Sequence, residues 1–410
     1  MTGAFTGQGM TVYGKPKAVW LVAGGPMQRP AAMAAKDLGL HLIVSDRDPE
    51  CPCSALADAF FRLDTFDIRG HLAVAETVRR DWSVEAVFTA GADCHWTVAT
   101  LAKRLGCHGL DPALARSCRF KHETRRLLQR AGIPQPPWGT ARTLDEARRV
   151  ASRLGGPFVV KATDNSGSRG FSQLENPEAL DSEVFRRAVN AGTTGVVLLE
   201  RALEPDQRLI AEQSVETLWY NGKMYWLNWV DRIFGRDLME IPREIALSYS
   251  YRDVRDGIEI GHVNPSQRPE ADLKQVHSLM DRVGRALGFD RQPGGHILKG
   301  DIFWTDSGPF ILEITPRLSG GWDSAGSTLA RGANFIAGAL RLALGEPLTD
   351  ALWHACFRYA EPACVAAVLA AVPENATDCI GRRFSLGTGR TRDAALLRAW
   401  AALQAGDYLS

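Results

Sequence analysis

Residues 295–317, GHILKGDIFWTDSGPFILEITPR, constrain this chain more than any other segment. Two apolar runs, each of strand length, flank Asp306-Ser307-Gly308, which carries turn chemistry. The segment therefore reads as a β-hairpin. Ser307 lies midway between Asp301 and Glu313. A symmetric register about it sets the two carboxylates opposite each other, with Cβ atoms ~5 Å apart. Like charges so placed are destabilising. A divalent cation removes that penalty, and Mg²⁺ takes oxygen ligands from one or two carboxylates together with substrate phosphates. The hairpin is expected to form the floor of a nucleotide-phosphate site.

A chain of 410 residues exceeds one ordinary core, so two to four lobes are expected. A net charge of +1 gives no electrostatic argument for nucleic acid or an anionic membrane. No apolar run reaches the length of a membrane span. The first residues are Gly- and Thr-rich without a signal-peptide apolar segment, and residues 1–16 read as a disordered tail. Cys51-Pro-Cys53 is the only close cysteine pair, and no C-x-x-C pair or His cluster accompanies it. Reduced thiols and a cytoplasmic location are expected, not zinc.

Strand and helix alternate over residues 17–115. Strands are expected at 17–23, 40–45 and 86–90, with helices at 31–38 and 94–105. That pattern implies a parallel sheet with a ligand crevice at the strand carboxyl ends. Gly24-Gly-Pro-Met-Gln-Arg-Pro30 with Asp46 has dinucleotide-fold spacing, but G-x-G-x-x-G is absent and two prolines remove N–H donors, which argues against NAD. Residues 116–131 read as one basic amphipathic helix, followed by a Pro/Gly-rich linker at 133–139 and a helix at 144–154. Further on come a buried strand at 196–200, a hairpin of 209–218 with 224–230, a long helix at 272–287, and helices at 334–344 and 394–404.

Several groups could carry chemistry. A strand ending in Lys161 runs into the loop TDNSGSRG, residues 163–170. Gly167 and Gly170 allow conformations closed to other residues, and Ser166 and Ser168 add hydroxyls suited to phosphate oxygens. Lys121 lies among Arg116, Arg119, Arg125 and Arg126, which also suits a solvated basic face. Glu200 ends a very apolar strand; Glu212 and Glu216 share one face of the next. Arg317 follows the hairpin and can bind a carboxylate or phosphoryl group bidentately, or instead neutralise Asp301 and Glu313. Gly320-Gly321 beyond it could close over such a site. Trp219, Tyr225, Trp226, Trp229 and Trp322 could line an apolar pocket or pack the core. Arg232, Arg236, Glu240 and Glu244 could meet the charged ends of an amino acid.

Taken in order, these segments resemble the ATP-grasp superfamily, and within it the carboxylate–amine ligases such as the L-amino acid ligases. The resemblance runs through FKHETRRLLQRAGIPQP at 120–136, PFVVK with SGSRG at 157–170, VLLE at 197–200, EQSVE at 212–216, IGHVNPS at 260–266 and LEITPR at 312–317. It covers residues 17–345. It departs at Thr315, where the family usually has Asn, and at Asp301, where Glu is commoner.

The resemblance implies an α/β ATP-grasp fold. Residues 17–115 would be a pre-ATP-grasp domain, 116–203 the small lobe, 204–345 the large lobe and 346–410 a C-terminal subdomain. ATP would sit between the lobes on Lys121, Lys161, Ser166, Gly167, Ser168 and Gly170, with Glu200, Arg201, Ala202 and Leu203 at adenine and Glu212 at ribose. Asp301, Glu313 and Thr315 would hold Mg²⁺, or Mn²⁺ in its place. Arg317 and Lys161 would be catalytic, and Glu216, Arg232, His262, Arg317, Gly320 and Gly321 would approach substrate. The implied activity is ADP-forming ligation of a small, amino-acid-like carboxylate to an amine through an acyl phosphate, in a possible homodimer. A carboxylase, a carboxylate–thiol ligase or a non-catalytic ATP-binding module are the alternatives.

Overall fold

The computed structural model describes residues 14–206, 208–249, 257–372 and 382–409. Residues 1–13 of the expected tail lie outside them, and residues 14–16 are exposed without regular structure.

The N-terminal part is a parallel sheet of β1 (Lys17–Val22), β2 (His41–Asp46), β3 (Ala59–Arg62) and β4 (Ser83–Phe88) in the order β3-β2-β1-β4. β1 is apolar after its first residue, as a strand covered on both faces must be. Asp46 accepts the Gly24 N–H at 2.7 Å. Any side chain at Gly24 would meet the Cys51 sulfur. The dinucleotide-like spacing is thus a turn clamp packed on buried thiols. No described cysteine is in a disulfide.

The small lobe is an antiparallel sheet of β5 (Trp138–Ala141), β6 (Phe158–Ala162), β7 (Ser172–Leu174) and β8 (Val197–Arg201), ordered β5-β8-β6-β7. Helices Leu144–Leu154 and Ser182–Ala191 cover one face and share its core.

The large lobe is a seven-stranded antiparallel sheet: β9 (Glu212–Tyr220), β10 (Lys223–Ile233), β11 (Gly261–Asn264), β12 (Gly295–Thr305), β13 (Gly308–Thr315), β14 (Val365–Ala370) and β15 (Phe384–Gly389). Their order is β13-β12-β9-β10-β11-β14-β15. Asn221 and Gly222, both at positive φ, make the tight β9–β10 turn. Helix Glu270–Leu287 packs on the β9–β12–β13 side through Val276, Met280 and Val283.

Two expectations are corrected. The basic segment 116–131 is two helices, Pro112–Arg119 and Lys121–Arg130, broken at Phe120. There the Lys121 N–H leaves the helical ladder for the Thr163 carbonyl, at 2.8 Å. The break brings Lys121 to the end of β6. Nor do the described residues of the expected subdomain 346–410 stand apart: β14 and β15 continue the large-lobe sheet through β11, and helix Arg392–Ala405 covers them. A strand contributed from the far end of the chain leaves no local sequence signal of which edge it joins.

Candidate active site

Asp301 and Glu313 do face each other across β12 and β13. The cause is not a turn centred on Ser307. The tip pairs Thr305 with Gly308, a two-residue turn, and that register holds to Ile302–Ile311. A bulge at Leu312 then shifts it by one, so that Asp301 meets Glu313. The extra residue lets Ile302, Ile311 and Ile314 enter the core while both carboxylates take the opposite face.

Arg125 secures the bulge. It is 3% exposed, and its guanidinium donates to the Ile311 carbonyl at 2.8 Å and the Leu312 carbonyl at 2.6 Å. Its Nε donates to Glu200 at 2.6 Å, and the other Glu200 oxygen lies 2.7 Å from Lys161 Nζ. Glu200 is buried, which alone would raise its pKa. Arg125 and Lys161 overcome burial and bring it down to about 2. The basic helix is therefore not a uniformly solvated face, and Arg125 ties the end of the small lobe to the metal-site hairpin. Lys121 Nζ lies 2.6 Å from Glu313 and 2.5 Å from the Asn165 carbonyl.

Asp301 accepts from Lys299 at 2.5 Å and lies 3.5 Å from Arg232. Burial would raise its pKa; these two cations hold it below the ordinary range. Arg232 also binds Glu212 at 2.8 Å and Glu259 at 2.7 Å, and Arg236 binds the second Glu212 oxygen at 2.7 Å. Glu240 and Glu244 are exposed.

Arg317 forms its ion pair with Asp93, not directly with the hairpin carboxylates. Its Nε and Nη2 lie 2.7 and 2.6 Å from one oxygen of Asp93, on the loop after β4. Asp93 is held well below the usual carboxylate range: burial opposes this, but Arg317 and a hydrogen bond from Ser166 prevail. Gly91 makes room for the contact, since its missing side chain would lie 3.3 Å from the Ser319 carbonyl.

Glu216 is fully buried. It accepts from the Ser319 N–H at 2.6 Å, Ser324 at 2.8 Å and Asn228 at 3.1 Å. Asn228 also donates to Asp323 at 3.0 Å. Burial first, and the Asp323 charge second, push the Glu216 carboxyl up to about 7. His262 bonds Ser327 at 3.0 Å and faces Glu259 at 4.0 Å. A continuous polar network thus runs from Asp301 through Arg232, Glu259 and His262 to Asp323 and Glu216. Glu216 and His262 secure the segment carrying Gly320 and Gly321.

In the 163–170 loop, Gly167, Ser168 and Gly170 all have positive φ. A side chain on Gly170 would lie 2.4 Å from Ala191 Cβ. The Ser168 hydroxyl donates to the Gly257 carbonyl. At the hinge, the Arg201 N–H bonds Pro137 at 2.9 Å and the Ala202 N–H bonds Pro157 at 3.0 Å. Two of the N–H groups expected at adenine are therefore committed within the small lobe. Trp219 and Trp229 pack in the core under the long helix, and Trp322 packs on Phe384. None of these three is a pocket aromatic.

No group of three or more His, Cys, Asp or Glu placed to hold a metal ion occurs among the described residues. The hairpin offers two opposed carboxylates and the buried Thr315 hydroxyl, which has no hydrogen-bond partner. These hard oxygen donors fit Mg²⁺, which completes its shell with phosphate and water.

Sequence reasoning missed Arg125, Asp93, Lys299, Glu259 and Asp323. Only Lys299 left a signal, two residues from Asp301 and so on the same strand face.

No family model matches the chain. An uncharacterized protein, y4rH, of Sinorhizobium fredii is 24% identical over 76% of this chain and 60% of its own length. A formate-dependent phosphoribosylglycinamide formyltransferase of Synechococcus is 28% identical over 51% of this chain and 54% of its own. The chain thus spans between half and two thirds of the length of these curated relatives. An L-amino acid ligase from Bacillus licheniformis superposes with a TM-score of 0.65 at 18% identity, covering 87% of this chain and 80% of that one. The fold is the ATP-grasp fold.

Proposed function

We propose that this chain is an ATP-dependent, ADP-forming ligase that joins a small, amino-acid-like carboxylate to an amine. The observation that carries the reading is the pairing of Asp301 with Glu313, each already matched to an amine, Lys299 and Lys121. Such a site is balanced without ligand and can exchange its internal ion pairs for phosphates and a cation.

In this reading ATP lies between the lobes. Lys121 and Lys161 turn from Glu313 and Glu200 toward phosphate oxygens, and Ser166, Gly167, Ser168 and Gly170 close over them. The hinge at Glu200–Leu203 meets adenine with its remaining polar groups, and Glu212 meets ribose. Asp301, Glu313 and Thr315 would hold Mg²⁺ or Mn²⁺, which supplies charge stabilisation to the phosphates in transfer. Arg317 exchanges Asp93 for the substrate carboxylate. That carboxylate attacks the γ-phosphorus, ADP leaves, and an amine then displaces phosphate to give an amide. Closure of the loop excludes water, which would hydrolyse the acyl phosphate. Glu216, His262, Gly320 and Gly321 position the substrate segment, and Arg232 holds Asp301 and Glu212 in place. No described helix is long and apolar enough to cross a membrane. A cytoplasmic enzyme without nucleic-acid partners fits the free thiols and the small net charge, and the reading includes a homodimer.

The test is ADP formation by Lys161→Ala and Glu313→Gln, each checked for folding by circular dichroism. Both should lose ATP turnover while folded; full activity in either refutes the site.

A further inference from the structure

At the seam between the N-terminal sheet and the large lobe lies a cavity of about 100 Å³. Its walls are Val98 and Ala99 of helix His95–Leu105, Ile297 of β12, and Ala339 and Leu342 of helix Phe335–Ala343. Arg317 closes one end. At about two thirds of the roughly 150 Å³ apolar cavity that takes benzene, the space limits an occupant to a single small ring or a shorter group.

His95 lines this cavity. It is 5% exposed, and neither ring nitrogen has a hydrogen-bond partner. Leaving a buried polar group unmade is costly, and structures rarely tolerate it without a ligand, water or function. Burial, aided by the nearby Arg317, Arg119 and Lys121 charges against Asp93, pushes the imidazole down to about 3. It is neutral at physiological pH, with one nitrogen donating and one accepting. Across the cavity His108 stacks on His296 with centroids 5.0 Å apart, and His108 Nε2 is likewise buried without a partner. The cavity is thus apolar on most of its walls, carries the Arg317 charge at one end, and is bordered by unmet hydrogen-bonding nitrogen.

We propose that this cavity receives the side chain of the carboxylate substrate, and that it selects a small neutral ring bearing one hydrogen-bonding heteroatom, which His95 meets. The inference rests on the ligase reading, because Arg317 both lines the cavity and is the group assigned to the substrate carboxylate. A carboxylate held there directs the rest of its molecule into this space. A charged side chain would be stranded among apolar walls, with Arg317 already taken by the carboxylate.

The experiment has two arms on the full chain. In the first, phenol and benzene are titrated without ATP while the histidine side-chain ¹⁵N resonances are followed. Phenol should bind saturably and shift the His95 nitrogens, with benzene weaker, and Ala339→Leu should weaken phenol at least tenfold. Val98→Phe, at a half-buried wall position, serves if that variant does not fold. In the second arm, ring-bearing and short aliphatic acids are offered with ATP and hydroxylamine, and hydroxamate is measured. The filled-cavity variants should raise KM for ring-bearing acids at least tenfold and leave KM for ATP unchanged. Unchanged KM for ring-bearing acids overturns the pocket and leaves the ligase intact. Phenol binding with no turnover of any acid overturns the ligase reading, and with it the assignment of the cavity to its substrate.

Discussion

Arg125→Met removes a side chain that touches both the Glu200 carboxylate and the bulge carbonyls. Methionine is close in volume, so the loss is of charge and hydrogen bonds, with little cavity. Breaking a buried ion pair costs about 3–5 kcal/mol because the remaining charge is left unpaired. Lys161 stays 2.7 Å from Glu200, which favours the lower end of that range. At about 2–4 °C per kcal/mol, the melting temperature should fall by at least about 6 °C. The pH dependence gives an independent check. In the wild type the Glu200 pKa is depressed from 4.5 to about 2. Its stabilisation is therefore complete above 4.5 and is lost as pH falls toward 2. Without Arg125 the folded-state pKa rises, so acid unfolding begins at higher pH. Adding Glu200→Gln to the variant should cost less than it does in the wild type, by on the order of 1 kcal/mol or more. The assay is thermal and acid unfolding by circular dichroism for the four proteins, with KM for ATP alongside. KM should rise, since the bulge that orients Glu313 is released. An Arg125→Met protein melting within about 2 °C of wild type, with an unmoved acid transition, would refute the reasoning.

Other outcomes follow from the same contacts. The Glu216 pKa is raised from 4.5 to about 7, so its contribution is fully present below 4.5 and lost as pH rises through 7. Glu216→Gln should flatten the fall in stability between those values, read from denaturant midpoints; an unchanged slope contradicts the burial argument. Gly170→Ala places a side chain 2.4 Å from Ala191 Cβ at a φ of 72°, so loop closure should suffer. The expected result is a several-fold rise in KM for ATP with a melting loss of a few degrees or less. Chelation by EDTA should abolish ATP turnover, with recovery on Mg²⁺ or Mn²⁺; full turnover after chelation would remove the metal from Asp301, Glu313 and Thr315.

Much of the fold was legible because periodicity and turn chemistry are local. Leu144–Leu154, closed by Gly155, appears where it was expected, as does the β9–β10 turn at Asn221-Gly222. The carboxylate pair was found for a partly wrong reason. Its symmetry about Ser307 holds only because a two-residue tip and the bulge at Leu312 offset each other. Nothing in the apolar run Phe310–Leu312 marks a bulge; Arg125, more than 180 residues away in sequence, catches its carbonyls. Asp93 and Arg317 meet for the same kind of reason, across 224 positions. Charged residues look alike in sequence whether solvated or buried. Arg125 and Arg116 lie in adjoining helices, yet the first is inside and the second is exposed and bonds half-buried Glu123. The sheet position of Val365–Ala370 and Phe384–Gly389 was likewise set by tertiary pairing, through β11.

The central claim is tested most directly by incubating the full chain with ATP and Mg²⁺ against amino acids, singly and in pairs, and identifying nucleotide and amide products by mass. The account predicts ADP and phosphate only with particular pairs, and an amide in the same wells. AMP and pyrophosphate in place of ADP would contradict the acyl-phosphate chemistry assigned to Lys161, Asp301, Glu313 and Arg317.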